Sequence, residues 1–460
     1  MSKIEVNTVA PQCGTTLTLG ESGDTVTLGC GASQTGFGRT GTVDWVTTVQ
    51  TSTPFTATSG KGYFINTTSG AITMNLPTSP TAGDIVAVSD YAKTFDDNNL
   101  TIGRGGSNIG GVGVDAIVNT EGIALTLVYI DGTKGWIITD SGNQSNASTA
   151  QYVAATGGSP CSGAICGDYK THTFTGPGTL TVSCGGNACG SDGVEYIIVA
   201  GGGGGGNSGC RGGGGGAGGF RFSSPSLAPA TYPAKPLAAP AVSPVTATPY
   251  PIVVGGGGAI GTVGDVSSFN SLTAAGGGFG GSNSPDNGGP GGSGGGGSGP
   301  GGGSPVFAGG TGNDPPVSPA QGKDGGPGEA SPPGFGGGGG GALACGTTGS
   351  SSPEPEGAPG GVGGGFPNAF GTSGQSSGGF YYFSGGGGGG YYGDAVPGGQ
   401  GGLGGGGDGQ GYDGVVVTAG SAGTCNTGGG GGGMGLSQPA PDSTGYAGGS
   451  GIVIIRYKFQ

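Results

Sequence analysis

VEYIIVAGGGGGG, residues 194–206, is where the chain changes character: an apolar, β-branched run feeds straight into six glycines. A run so rich in apolar and β-branched residues reads as strand-like. The final residues, GSGIVIIRYKFQ (449–460), carry the same two elements in reverse order. The two apolar runs are therefore expected to pair in one sheet. Such pairing would make residues 201–451 a closed insertion between strands and not a trailing tail.

The composition of that insertion narrows what it is. Of 460 residues, 126 are glycine and 31 proline, about a third of the chain against roughly 12% in soluble proteins. Charged residues make up only 8%, whereas charge-driven disorder couples low hydrophobicity to high net charge. Collagen needs glycine at every third position, and runs such as GGGGGAGG (212–219) and GGPGGSGGGGSGPGGG (288–303) keep no such register. A flexible linker of some 250 residues would be unusual. It would also leave PYPIVV (249–254), FYYF (380–383) and GVVVT (414–418) without purpose. The remaining reading is a bundle of polyproline-II-type helices, with three residues per turn and no internal hydrogen bonds. Their N–H and C=O groups must be satisfied by neighbouring helices, and about eight to ten glycine runs are present to supply them.

In such a bundle, recognition belongs to the segments joining the helices, since loops on rigid scaffolds carry binding residues. The richest is FPNAFGTSGQSSGGFYYF (366–383), followed by Tyr391 and Tyr392. The receptor-binding candidates are Phe366, Phe370, Phe380, Tyr381, Tyr382, Phe383, Tyr391 and Tyr392, because aromatic faces with hydroxyls suit paratopes and sugars. The competing reading is that these rings cover the flank of the bundle. Proline-rich segments at 304–333 and 349–359 are further candidate loops, and PYPIVV reads as a strand returning to the core.

Upstream, TLTLG (16–20) and TVTLG (25–29) flank the turn ESGD and alternate as strands do. Two short strands cannot bury a core alone, which favours intertwining with identical chains over residues 1–40. Residues 41–140 read as a compact β-sandwich-like domain. Its candidate strands are 43–50, 62–68, 71–76, 84–91, 99–103, 123–130 and 135–140, with Gly, Pro, Asn and Asp between them. Asp131-Gly132 marks a hairpin turn. Trp45, Tyr63, Phe64 and Trp136 read as packing residues, with carbohydrate stacking as the sharper alternative. Residues 141–165 read as a small-residue linker, and 166–460 as the glycine-rich domain, framed by strands near 168–200 and 451–460. The fold class is all-β with a non-regular glycine-rich domain and almost no α-helix.

Chemistry is harder to place. The net charge is −13 with no basic run, which argues against nucleic acid as a partner. No apolar stretch approaches the ~18 residues of a membrane span, and MSKIEVNTVAPQ lacks a signal-peptide core. Cys161/Cys166 and Cys184/Cys189 are two equally spaced pairs among nine cysteines. They read as local clasps, a metal site, or unpaired small residues. GxGxxG matches arise here from composition alone. A Ser-His-Asp triad would have to use the sole histidine, His172, in a probable strand. Neither an enzyme nor a cofactor or metal is expected.

A family resemblance enters on longer stretches. SKIEVNTVAPQCGTTLTLGESGDTVTLG (2–29), GFGRTGTVDW (36–45), AGDIVAVSDYA (82–92) and LVYIDGTKGW (127–136) resemble the N-terminal part of tail fibre proteins of marine and cyanobacterial phages. DYKTHTFTGPGTLTV (168–182), VEYIIVAGGGGGG, PYPIVVGGGG (249–258) and GGSGIVIIRY (448–457) resemble the glycine-rich domains at the ends of such fibres. Polyglycine-helix adhesins of T-even-like phages share the alternation of glycine runs and variable loops. CSGAIC and CGGNAC depart from the pattern. The resemblance implies a homotrimeric virion fibre, held by other tail or baseplate proteins through its N-terminus. Its loops would bind a host surface glycan or outer-membrane protein. A purely structural collar or head fibre, and a polysaccharide depolymerase, are the rival readings.

Overall fold

The computed structural model describes residues 43–147, 150–207, 211–282, 287–299, 306–329, 334–349, 357–393, 397–412, 415–435 and 445–460. The β segment expected over residues 1–40 lies outside them. Chain contacts divide the protein into two compact units, Met1–Ser148 and Thr149–Gln460.

The described part of the first unit holds β1 (Asp44–Gln50), β2 (Phe55–Thr56), β3 (Lys61–Ile65), β4 (Ile72–Asn75), β5 (Ile85–Asp90), β6 (Leu100–Gly103), β7 (Ala116–Val118), β8 (Ile123–Asp131) and β9 (Gly135–Asn143). They form a five-stranded sheet, β1-β3-β5-β8-β9, and a four-stranded sheet, β2-β4-β6-β7. Alternate residues of both sheets share one core, including Ile65, Met74, Val88, Leu100, Leu127 and Trp136. All seven expected strands are present. Trp136 and Tyr63 are buried, while Trp45 stacks on Phe64 at 4.8 Å and keeps 39% exposure. The β8–β9 hairpin forms where Asp131-Gly132 was expected to turn. The left-handed residue, however, is Gly135 (φ +71), not Asp131 or Gly132. Asp131 acts instead through its carboxylate, which accepts from the N–H of Thr133 (2.8 Å) and Lys134 (2.6 Å). Those backbone bonds hold its pKa below the usual value.

In the second unit the strands are β10 (Val153–Thr156), β11 (Ser159–Cys166), β12 (Tyr169–Phe174), β13 (Gly178–Gly185), β14 (Gly193–Val199), β15 (Phe220–Ser223), β16 (Ser243–Pro244), β17 (Pro249–Val253), β18 (Ser267–Phe269) and β19 (Leu272–Ala274). There follow β20 (Gly364–Phe366), β21 (Gln375–Ser377), β22 (Phe380–Phe383), β23 (Tyr391–Tyr392), β24 (Gly411–Tyr412), β25 (Val417–Thr418) and β26 (Ile452–Lys458). One sheet has the order β11-β12-β26-β14-β15, and a second β10-β13-β17-β18-β19. β14 and β26 pair antiparallel from Glu195↔Arg456 to Val199↔Ile452, so the glycine region is closed at its base as expected. Both faces of that pair are covered. Val194, Tyr196, Ile198, Val453 and Ile455 face the second sheet, while Ile197, Val199, Ile452 and Ile454 face an aromatic layer. The apolar run is continuous because neither face meets water.

The reading of residues 141–165 as a linker is corrected: β9 extends into it, and β10 and β11 occupy half of the rest. Val153 and Ala155 point into the core between the two sheets. β11 is an edge strand exposed at all but one position, so its side chains carry no alternation.

From the framework the glycine segments run outward and back. Gly201 and Gly204 donate to the carbonyls of Asp265 and Thr262, Gly202 and Gly205 to Gly449 and Tyr446, and Gly203 and Gly206 to Gly216 and Gly213, all at 2.8–3.0 Å. Their own carbonyls accept from Gly277 and Gly280, Gly258 and Gly261, and Gly431 and Met434. Partners recur every third residue, as a threefold extended helix demands. This helix thus has six neighbours, three antiparallel and three parallel. Residues 212–219 repeat the arrangement at the centre, bonding to segments near 428–434, 275–281, 337–340, 293–299, 387–390 and 200–206. Glycine is required by space here. A Cβ on Gly214, Gly215 or Gly430 would collide with the carbonyl oxygen of Gly387, Gly203 or Gly215, respectively.

Where the lattice meets the framework, side chains complete it. Ser267 Oγ donates to Val199 O (2.8 Å) and accepts from Gly255 N (2.9 Å). Ser384 Oγ donates to Gly218 O (2.8 Å), and Gln375 Oε1 accepts from Gly404 and Gly405. A buried backbone group left bare would cost about 1–3 kcal/mol, so these residues terminate the bundle.

Candidate functional site

The hydrogen-bond directions give the bundle a base, at the sheets, and an outer end. Segments 275–281, 293–299, 323–328, 344–347, 385–390, 406–412 and 428–434 all run parallel to 201–206 and away from the base. The connections at 208–210, 283–286, 300–305, 330–333, 350–356, 394–396, 413–414 and 436–444 each follow one of these outgoing segments, and lie outside the described residues. Much of the expected proline-rich loops, at 304–305, 330–333 and 350–356, falls among them.

Against this frame of two ends the aromatic candidates divide. Phe366, Phe370 and Phe383 belong to the base, in the layer that covers β14 and β26 together with Phe220, Phe222 and Tyr232. Their rings lie within 4.8–6.4 Å of one another's centroids and are buried. A ring so enclosed has no face left for a receptor. Phe380 packs partly against the same layer, and Tyr381 and Tyr382 are half-buried on β22 between β20 and β21. The covering role weighed for this loop is the one these rings perform.

Tyr391 and Tyr392 lie at the other end. Tyr391 is fully buried and stacks on Phe335 at 4.6 Å, with the planes 15° apart. Tyr392, half-buried, pairs with Tyr412 at 5.6 Å, and the Arg211 guanidinium sits 5.7 Å from its centroid. β24 lies between β23 and β25, with Tyr412 opposite Val417. Val415, Val416 and Val417 are exposed by 87%, 59% and 40%. Three consecutive exposed valines, the last opposite Tyr412, put apolar side chains at the solvent surface here, and clustered exposed apolar side chains mark interaction sites. Tyr412 and the valines were missed as site residues. The available signal was GVVVT itself, a β-branched triplet amid glycines.

His172 is accounted for by packing. It is buried, with Nδ1–H donating to Gly157 O (2.7 Å) and Nε2 facing the Tyr457 hydroxyl (3.0 Å). Burial holds its pKa below the usual value. Cys161, Cys166, Cys184, Cys189, Cys345 and Cys425 are free thiols. No cluster of three or more metal-ligating side chains occurs among the described residues.

A family profile of a glycine-rich domain matches residues 173–458, from β12 to the end of β26. The chain belongs to that glycine-rich domain family. The match spans β14, β26 and the whole bundle between them, and leaves out β10 and β11 at the start of the second unit. No curated protein matches the chain.

Proposed function

We propose that this glycine-rich domain protein is a virion tail-fibre adhesin, a homotrimer that recognises a host-surface glycan or outer-membrane protein without catalysis. Its N-terminal residues would attach it to other tail or baseplate proteins. The observation that supports the reading best is the exposed Val415–Val417 surface with Tyr392 and Tyr412 at the outer end of a stiff bundle. Glycine segments bonded on six sides hold that end in place, which lowers the ordering cost of binding. The expectation from sequence that contact sits between glycine runs is kept, moved from residues 366–383 to the outer end.

Purified protein should adsorb to host cells and compete with virions for infection. Val415→Asp combined with Val416→Asp should abolish both effects while leaving thermal unfolding unchanged, because both side chains are exposed. Undiminished competition by the double variant would refute the assignment of this surface. Release of reducing sugars from host envelope would favour the depolymerase reading.

A further inference from the structure

The outer face of the five-stranded sheet in the first unit is apolar where water would call for polar side chains. Ile65, Val88 and Leu127 point into the core, so the alternate positions point out. The strand register sets Trp45, Gly62, Ala87 and Thr126 in one row across β1, β3, β5 and β8. Phe64, Ser89 and Ala124 form the next row on one side, and Ile85 and Val128 the next on the other. A sheet face left to solvent carries polar residues at such positions. Here only Ser89 and Thr126 are polar, and none is ionisable. Ala87 and Ser89 sit low between larger neighbours and are buried, while Phe64, Ile85, Ala124 and Val128 are half-buried. The Trp45 ring lies over Gly62, where a Cβ would stand 2.8 Å from it. It stacks on Phe64 and is still 39% exposed.

We propose that residues 16–29 of the same chain dock on this face as a two-stranded cover. Leu17 and Leu19 alternate with threonines in the first run, and Val26 and Leu28 do so in the second. Each run therefore has one apolar side, and two strands alone cannot bury it. The only charges of the segment, Glu21 and Asp24, fall in the turn between the runs, so an uncharged side meets an uncharged face. Sheet layers pack in this way, with the side chains of the two inner faces interdigitating. Reach and position agree. The chain enters the described unit at Val43, two residues before Trp45, and residues 30–42 span up to about 45 Å when extended. From β1 to β8 the face is only about 14 Å wide. A tether of this length keeps the segment at roughly millimolar effective concentration, which favours the chain's own segment over that of another copy. The sequence alone pointed to identical chains as the missing neighbours of these runs; the sheet supplies one within the chain. The proposal goes beyond the adhesin reading and does not depend on it.

Two measurements on the full chain test it. The protein has two tryptophans, and Trp136 is fully buried in the core, so acrylamide quenching reads Trp45 while Trp136 reports an intact fold. Leu17→Asp combined with Leu28→Asp should shift the Trp45 emission to the red and raise its quenching. Thr18→Asp combined with Thr27→Asp, on the opposite side of the same runs, should change neither. Equal quenching in the wild-type chain and both variants would overturn the proposal. The second measurement places p-benzoylphenylalanine at Leu19 in chains co-expressed with light and heavy isotopes, and reads the photo-crosslinks by mass spectrometry. Crosslinks to peptides of β1, β3 or β8 with both ends of one isotope are expected. Crosslinks of mixed isotope would show the segment of another copy on this face, and crosslinks elsewhere or none would leave the face without this cover; each of these results would overturn docking by the chain's own segment.

Discussion

The described part of the first unit and the glycine bundle meet one requirement, a dry interior with its backbone hydrogen-bonded, by opposite means. Residues 43–147 fill the space between two sheets with side chains such as Met74, Leu127 and Trp136, and strand pairing satisfies the backbone. The bundle bonds its central helices, 201–206 and 212–219, to six neighbours each and leaves almost nothing between helices to fill. Glycine accordingly means different things in the two. At Gly135 it supplies a left-handed φ of +71 for a hairpin. At Gly215 the backbone lies outside the left-handed region, and the hydrogen atom is needed because a carbonyl stands where a Cβ would be. Glycine loses more chain entropy on ordering than any other residue. The lattice therefore has to be extensive, and the sheets that fix its ends are part of its stability.

The sharpest way to break the comparison is one methyl group at the centre of the lattice. Gly215→Ala would drive a Cβ into the Gly203 carbonyl, with backbone on every side and no flexible side chain to give way. Overpacking in ordinary cores costs about 1–3 kcal/mol. Here it should exceed that, and residues 150–460 should fail to show a cooperative unfolding transition by calorimetry. Ala217, two residues on, is a natural alanine in the same segment, fully buried. Ala217→Gly should cost only about 1 kcal/mol. Equal responses at the two positions would mean that space does not decide where glycine stands.

In the first unit the same logic inverts, and loss of atoms is what hurts. Leu127→Ala removes a fully buried side chain from the sandwich core and should destabilise it by about 2–5 kcal/mol. Because the chain divides into two compact units, calorimetry should show the corresponding transition falling while that of the glycine unit stays in place. A joint shift of both would sink the picture of separately cored units.

Much of this was legible in the sequence, and the parts that were not share a cause. The seven strands between residues 43 and 140 could be read from apolar and β-branched runs between turn residues. The β14–β26 closure followed from two matching apolar runs at the borders of the insertion. β10 and β11 were hidden because Ala154, Ser159, Ser162 and Gly163 are small or polar whether they line an edge strand or a linker. The aromatics at 366–383 were visible as a cluster, but only tertiary topology reveals that their glycine segments deliver them to the base. Composition cannot distinguish the ends of a bundle, since direction is carried by hydrogen bonds that glycine makes with no help from side chains. Ser267, Ser384 and Gln375 were likewise silent, because terminating a lattice needs one hydroxyl or amide and no motif.

The smallest expected effect concerns the seam where side chains and bundle meet. His172 lies on β12 beside β26, its Nδ1–H bonded to Gly157 and its Nε2 to the Tyr457 hydroxyl, which also accepts from Ala155 N (3.1 Å). A carbonyl at Nδ1 fixes the neutral tautomer with Nε2 as acceptor; protonation would turn Nε2 into a donor and oblige the Tyr457 hydroxyl to direct its own proton to Ala155 O (3.2 Å). Burial, and the nearby charge of Lys170, disfavour the cation and hold the folded pKa below the ordinary 6.5. Below that value the unfolded chain binds a proton that the folded chain refuses, so folding stability rises with pH. The contribution is whole above about pH 6.5 and is lost as pH falls toward the depressed folded value. For one proton the slope is bounded by about 1.4 kcal/mol per pH unit. Denaturant unfolding of the second unit between about pH 7.5 and 5.5 should show it, and His172→Gln should flatten it at a small loss of stability near neutral pH. A slope that persists in the glutamine variant would assign the titration to some other group and leave His172 as packing alone.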